Sequence, residues 1–149
     1  MVSSLTLGIL TGLSNFLVLV FNAGFSMADE LAEPNPGVFS VHGQVMILVW
    51  GLTFIAAGVS DAGPAVWAVF ALEKMCYVVI WGMWMNSNPD ALSKLLALHA
   101  SAQEESGNMS VLLAPTFHLI YGPIAVVFVI LFLTKALEGK RTPTKLRRD

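Results

Sequence analysis

An adjacent acid–base pair, Glu73-Lys74, and two histidines, His42 and His118, stand in stretches that otherwise carry almost no charge. Those residue types support three kinds of chemistry. Two histidines on separate helices at one depth suit the axial positions of a b-type haem. The same pair, with hydrogen-bonding neighbours such as Asn22 and Tyr121, suits a proton-responsive or ligand-orienting site. A carboxylic acid inside an apolar segment suits acid–base work on a lipid-like substrate. Each has a plainer counterpart: interhelical hydrogen bonds that hold a bundle together, or histidines satisfied by water and headgroups at the interface. A non-haem metal site lacks a third strong ligand in the histidine layer, and His99 lies in a polar connection and reads as exposed.

Composition sets the stage for these groups. The 149 residues are 56% hydrophobic and 12% charged, with a mean hydropathy of +0.72. Soluble domains carry about 25% charged residues, so a soluble enzyme, a disordered segment and a nucleic-acid-binding domain are all excluded. The single cysteine, Cys76, rules out an intrachain disulfide and a dithiol relay. No phosphate-binding glycine loop, H-E-x-x-H or G-x-S-x-G motif is present. The chain resolves into an all-α membrane protein, a four-transmembrane-helix bundle.

The expected spans cover about 5–27, 38–59, 65–85 and 111–134, each near the roughly 20 residues that a hydrocarbon core of about 30 Å requires. Ser26-Met27-Ala28 resembles a signal-peptide cleavage site. The start lacks Lys and Arg, however, and its apolar run exceeds the roughly 7–15 residues of a signal core. The first segment therefore reads as a retained helix. The short turn Ser60–Pro64 predicts that the second and third spans are antiparallel neighbours. Between the third and fourth spans, Leu92, Leu95, Leu96 and Leu98 alternate with Lys94 in a short amphipathic segment suited to the membrane interface. Six of the eight Lys and Arg lie between Lys135 and Arg148. A basic tail at 135–149 predicts a cell-membrane protein with both termini cytoplasmic.

These helices must bring the polar groups together. At about 1.5 Å per residue, Asn22, His42 and His118 lie about 25–27 Å above the inner ends of their spans, and Tyr77 about 20 Å. Glu73 lies deeper, at about 15 Å. Helical spacing puts Thr11, Asn15, Val18 and Asn22 on one face of the first span, and His42, Met46, Val49 and Thr53 on one face of the second. Glu73, Tyr77 and Trp81 share a face of the third; His118, Tyr121, Gly122 and Ala125 share one of the fourth. Polar groups in hydrocarbon cost free energy unless partnered, so all four faces are expected to point inward. Thr11, Asn15 and Thr53 read as helix-to-helix glue. Tyr77 is the natural donor to Glu73. Lys74 diverges from Glu73 by about 100°, and is expected over Trp67 or Trp81 or against a second copy.

The functional expectation is a non-enzymatic membrane protein that binds a small hydrophobic or amphipathic ligand near the outer leaflet, as a transporter or accessory subunit. His42, His118, Asn22, Tyr77, Tyr121, Lys74 and Glu73 would contact that ligand. Two alternatives stand beside it: haem-mediated electron transfer through His42 and His118, and an enzyme using Glu73 as acid or base. The expected partners are the bilayer, the ligand and a homo-oligomer or larger membrane complex, with no nucleic acid.

Overall fold

The computed structural model describes residues 2–104 and 112–138. Their elements are α1 (Ser4–Phe21), α2 (Ala28–Ala32), α3 (Pro36–Phe39), α4 (Val41–Val59), α5 (Pro64–Ser87), α6 (Ala91–Glu104) and α7 (Leu113–Glu138). Four of them, α1, α4, α5 and α7, are long and apolar enough to cross a membrane. Leu, Val and Ile cover their outward faces, as contact with acyl chains requires. Both described ends of the chain meet at one end of the bundle, where the Lys135 ammonium donates to the Val2 carbonyl at 3.4 Å.

Local sequence sets where the spans start and stop. The Ser3 hydroxyl accepts the Thr6 N–H at 3.0 Å and opens α1, while Ser40 does the same for α4 through the Gly43 N–H. Pro64 occupies the first turn of α5, where a missing N–H is harmless. The expected first span reached residue 27, but α1 ends at Phe21. Ala23, Gly24 and Phe25 are all left-handed, with φ of 48°, 65° and 73°. The Gly24 N–H returns to the Leu19 carbonyl at 2.8 Å, which closes the helix end.

The pairing of helices also differs from expectation. The close backbone partners are α1 with α4 and α5 with α7, rather than α4 with α5. Small residues decide this. Ser4, Gly8 and Gly12 recur every four residues on α1 and face Gly51 and Gly58 on α4. A Cβ on Gly12 would lie 2.7 Å from the Gly51 carbonyl oxygen, and one on Gly8 would lie 2.8 Å from the Gly58 Cα. Small residues at this spacing let two backbones touch. On the other pair, Gly122 of α7 receives the Trp81 indole of α5.

Between the two pairs many of the contacts are made by rings. Phe54 of α4 meets Phe70 of α5 at 4.8 Å and Phe132 of α7 at 5.4 Å. The core therefore has two centres. One, around Phe54, Trp67, Phe70 and Phe132, lies toward the termini; the other, around Leu31, Phe39, Phe117 and Tyr121, lies at the opposite end.

The amphipathic segment is helical as α6, and Leu92 and Leu96 remain exposed on it. The fourth span continues past residue 134, carrying Lys135 within hydrogen-bonded helix and 3.5 Å from Glu138. The remainder of the basic tail, 139–149, lies outside the described residues, as do 105–111.

Candidate functional site

At the end of the bundle away from the termini, three side chains from three helices are fully buried: Asn22 after α1, Gln44 on α4 and His118 on α7. The Asn22 amide donates to Gln44 Oε1 at 2.7 Å, and Gln44 Nε2 donates to the Ala28 and Phe39 carbonyls, each at 2.8 Å. His118 Nε2 lies 2.9 Å from the Leu31 carbonyl. A carbonyl only accepts, so Nε2 carries the hydrogen. In the neutral ring Nδ1 is then an acceptor, and it has no partner among the described residues. His118 stacks on Trp84 at 5.3 Å and meets the Phe39 edge at 5.1 Å. These bonds satisfy the backbone of the connection from Asn22 to Ser40 and pin it over the helix ends.

His42 does not join this layer. It is exposed on the first turn of α4, and Met46, Val49 and Thr53 lie with it on an exposed stripe. Residues two apart on a helix diverge by about 200°, so the inward position of Gln44 turns His42 outward. The proposed axial pair fails for the same reason. One histidine faces away from the bundle, and the other is held on a backbone carbonyl. No group of three or more His, Cys, Asp or Glu side chains among the described residues forms a metal site.

A second polar group lies deeper. Lys74 of α5 is buried, and its ammonium donates to Asn15 Oδ1 of α1 at 2.8 Å. Asn15 in turn donates from Nδ2 to the Ile47 carbonyl of α4 at 2.9 Å. The ammonium sits 4.7 Å from the Phe54 ring centre and 5.4 Å from that of Tyr77. The expected rings, Trp67 and Trp81, are not its partners. Glu73 Oε2 lies 3.6 Å from Lys74 Nζ, a charge contact beyond hydrogen-bond reach. Extended, flexible side chains thus overcome the divergence of adjacent helical positions. Both Glu73 oxygens are buried without a hydrogen-bond partner among the described residues, so Tyr77 is not the donor expected.

Beside Lys74 runs a cleft between α1 and α7, with about 540 Å³ of unfilled space including its open mouth. Its walls are Ser14, Leu17 and Phe21 of α1 and Phe117, Ile120, Ile124 and Phe128 of α7. Asn15, Ile47, Lys74, Tyr77 and Tyr121 lie behind them. The Tyr121 hydroxyl is buried without a hydrogen-bond partner among the described residues. Glu73 does not line this space.

Of the seven residues expected to contact a ligand, the fold brings Lys74, Tyr77 and Tyr121 to one cleft. Asn22 and His118 bond within or onto the connection above it, Glu73 is beside Lys74 but does not line the cleft, and His42 is outside. Sequence reasoning missed Gln44, although its offset from His42 meant that only one of the two faces inward. It also treated Asn15 as helix glue, while this side chain is the hydrogen-bond acceptor for the buried cation. No protein-family model, curated protein or solved structure matches the chain.

Proposed function

We propose that the protein binds a single-chain amphipathic molecule, which enters sideways from the bilayer between α1 and α7. The apolar part lies against Leu17, Phe21, Ile120 and Ile124, and the polar end reaches Lys74, with Tyr77 and Tyr121 beside it. The supporting observation is a mostly apolar cleft with a buried ammonium at its back. Small-molecule sites are likewise mostly apolar with a few convergent polar groups. The basic residues from Lys135 onward favour a cytoplasmic location for both termini. On that orientation the pinned connection from Asn22 to Ser40 faces outward, and Lys74 lies about 15 Å along α5 from its inner end.

A dodecyl probe carrying a photoactivatable diazirine, used on the protein in lipid nanodiscs, tests this reading. Crosslinks concentrated at Leu17, Ile120 and Ile124, and competed away by unlabelled probe, are expected. Crosslinks spread evenly over lipid-facing positions such as Leu52 and Val69, without competition, would overturn it.

A further inference from the structure

We infer that the occupant's polar end is an anion, and that its binding is coupled to uptake of one proton by Glu73. The inference rests on the reading of the cleft given above and concerns the charge balance behind it. Among the described residues the ammonium of Lys74 has one acidic neighbour, Glu73, at 3.6 Å. Its other contacts, the Asn15 amide oxygen and the faces of Phe54 and Tyr77, also favour the cation. The pair is therefore neutral overall. A lysine ammonium has three donors, and one is committed to Asn15. An anion arriving through the cleft takes another.

With the anion bound, one cation would face two negative groups in a poorly hydrated setting, leaving a net buried negative charge. An uncompensated charge in the membrane interior is strongly unfavourable. Glu73 removes that charge by taking one proton from bulk solvent, and no bond other than its O–H forms. Among the described residues neither carboxylate oxygen accepts a hydrogen bond that protonation would break.

The surrounding elements provide few competitors. Helix α1 contains no titratable residue and faces Lys74 with Asn15, while α4 contributes Phe54 and carries its sole titratable group, His42, on the outside. On α5 the remaining candidates are Cys76, which is exposed, and Tyr77; on α7 they are Tyr121 in the cleft and His118, Lys135 and Glu138 toward the helix ends.

Decanesulfonate is a suitable probe because its head stays charged, so any proton taken up belongs to the protein. Calorimetric titration of the full-length protein in nanodiscs, in buffers of different ionisation enthalpy, counts protons per bound sulfonate. The expected count is close to one, with affinity rising about tenfold per unit fall in pH where Glu73 is ionised in the empty cleft. Decanol and decyltrimethylammonium should bind at least about tenfold more weakly, a difference worth about 1.4 kcal/mol. Glu73→Gln should bind sulfonate with no proton uptake and no such pH dependence, and Lys74→Met should lose the preference for the anion.

Sulfonate binding without proton uptake in the unmodified protein would overturn the coupling and leave the cleft reading intact. Equal binding of decanol would overturn the anion assignment. Proton uptake surviving in Glu73→Gln would move the proton to another group and overturn the role of Glu73. Failure of all three decyl probes to bind would overturn the inference together with the reading beneath it. Should Glu73→Gln not fold, the proton count of the unmodified protein still decides the matter.

Discussion

At the scale of single residues, a polar side chain inside this bundle matters according to what it leaves behind when removed. Gln44 joins Asn22 to two backbone carbonyls. Gln44→Leu strands all three partners, and each buried polar group left unsatisfied costs about 1–3 kcal/mol. Hydrogen exchange of the amides between Asn22 and Ser40 should accelerate strongly in that variant, whereas His42→Ala should leave it unchanged. Asn15→Leu similarly deprives the Lys74 ammonium of its acceptor and should lower stability by at least about 1.5–3 kcal/mol, as expected for a hydrogen bond to a charged group. Thr11→Val should cost less, because the Thr11 hydroxyl bonds back to Leu7 within its own helix. Denaturant titration in mixed micelles would rank the two. The buried face of α1 was legible from its four-and-seven spacing because that face carries Asn15 and leads to Asn22 just past the helix end. The exposed face of α4 was not, because His42 and Gln44 are both polar and spacing alone does not choose between them.

At the scale of elements, the close approach of α1 and α4 depends on having no side chain at the contact. Gly12→Leu should separate the two helices and destabilise the protein by at least the roughly 1–3 kcal/mol typical of overpacking. Gly82 on α5 has open space around the position of an added Cβ, so Gly82→Ala should be neutral or gain up to about 1 kcal/mol. Thermal unfolding of the two variants in nanodiscs would separate them. Just before α6, Asp90 makes an exposed pair with Lys94 on the helix, 2.8 Å apart. The hydrogen bond from Lys94 holds the Asp90 carboxyl below its ordinary range. A depressed acid contributes above its unfolded value and loses that contribution as pH falls through the folded one. Amide shifts at the start of α6 should therefore change only in strongly acidic solution, and Asp90→Asn should remove that change with little effect near neutral pH. Four apolar runs and their breakers were readable directly. The partnership of those runs was not, since a short turn between α4 and α5 suggested adjacency while the glycine spacing on α1 specified a different neighbour.

At the scale of the whole molecule, the sequence carried the number of crossings because too few charges exist to cover a soluble body of this size. It also carried the common depth of Lys74 and Asn15, about 15 Å along α5 and 16 Å along α1 by helical rise. It did not reveal that the outer polar layer would be consumed by the connection above it, because backbone carbonyls leave no mark in composition. Membrane-sidedness is testable with Cys76 replaced by serine. A single cysteine at Ser87 should react with an impermeant maleimide on intact cells, and one placed at Thr144 should react only after permeabilisation. The reverse pattern would invert the orientation proposed from the basic tail.

The contact of Gly8 with Gly58 and Gly12 with Gly51 has a mechanical corollary. Two backbones in direct apposition leave no slack, so α1 and α4 behave as one stiff plank. The indole of Trp81 seated on Gly122 fastens α5 to α7 in the same manner. The seam between the planks is the softer boundary: rings meet rings there, the turn from Ser60 to Gly63 joins the halves covalently, and a few hydrogen bonds such as Lys74 to Asn15 cross it. The cleft lies along that seam. Whatever its occupant, admission is governed by how far the planks part, and stiffening either plank would alter the rate of entry without altering a single residue that the occupant touches.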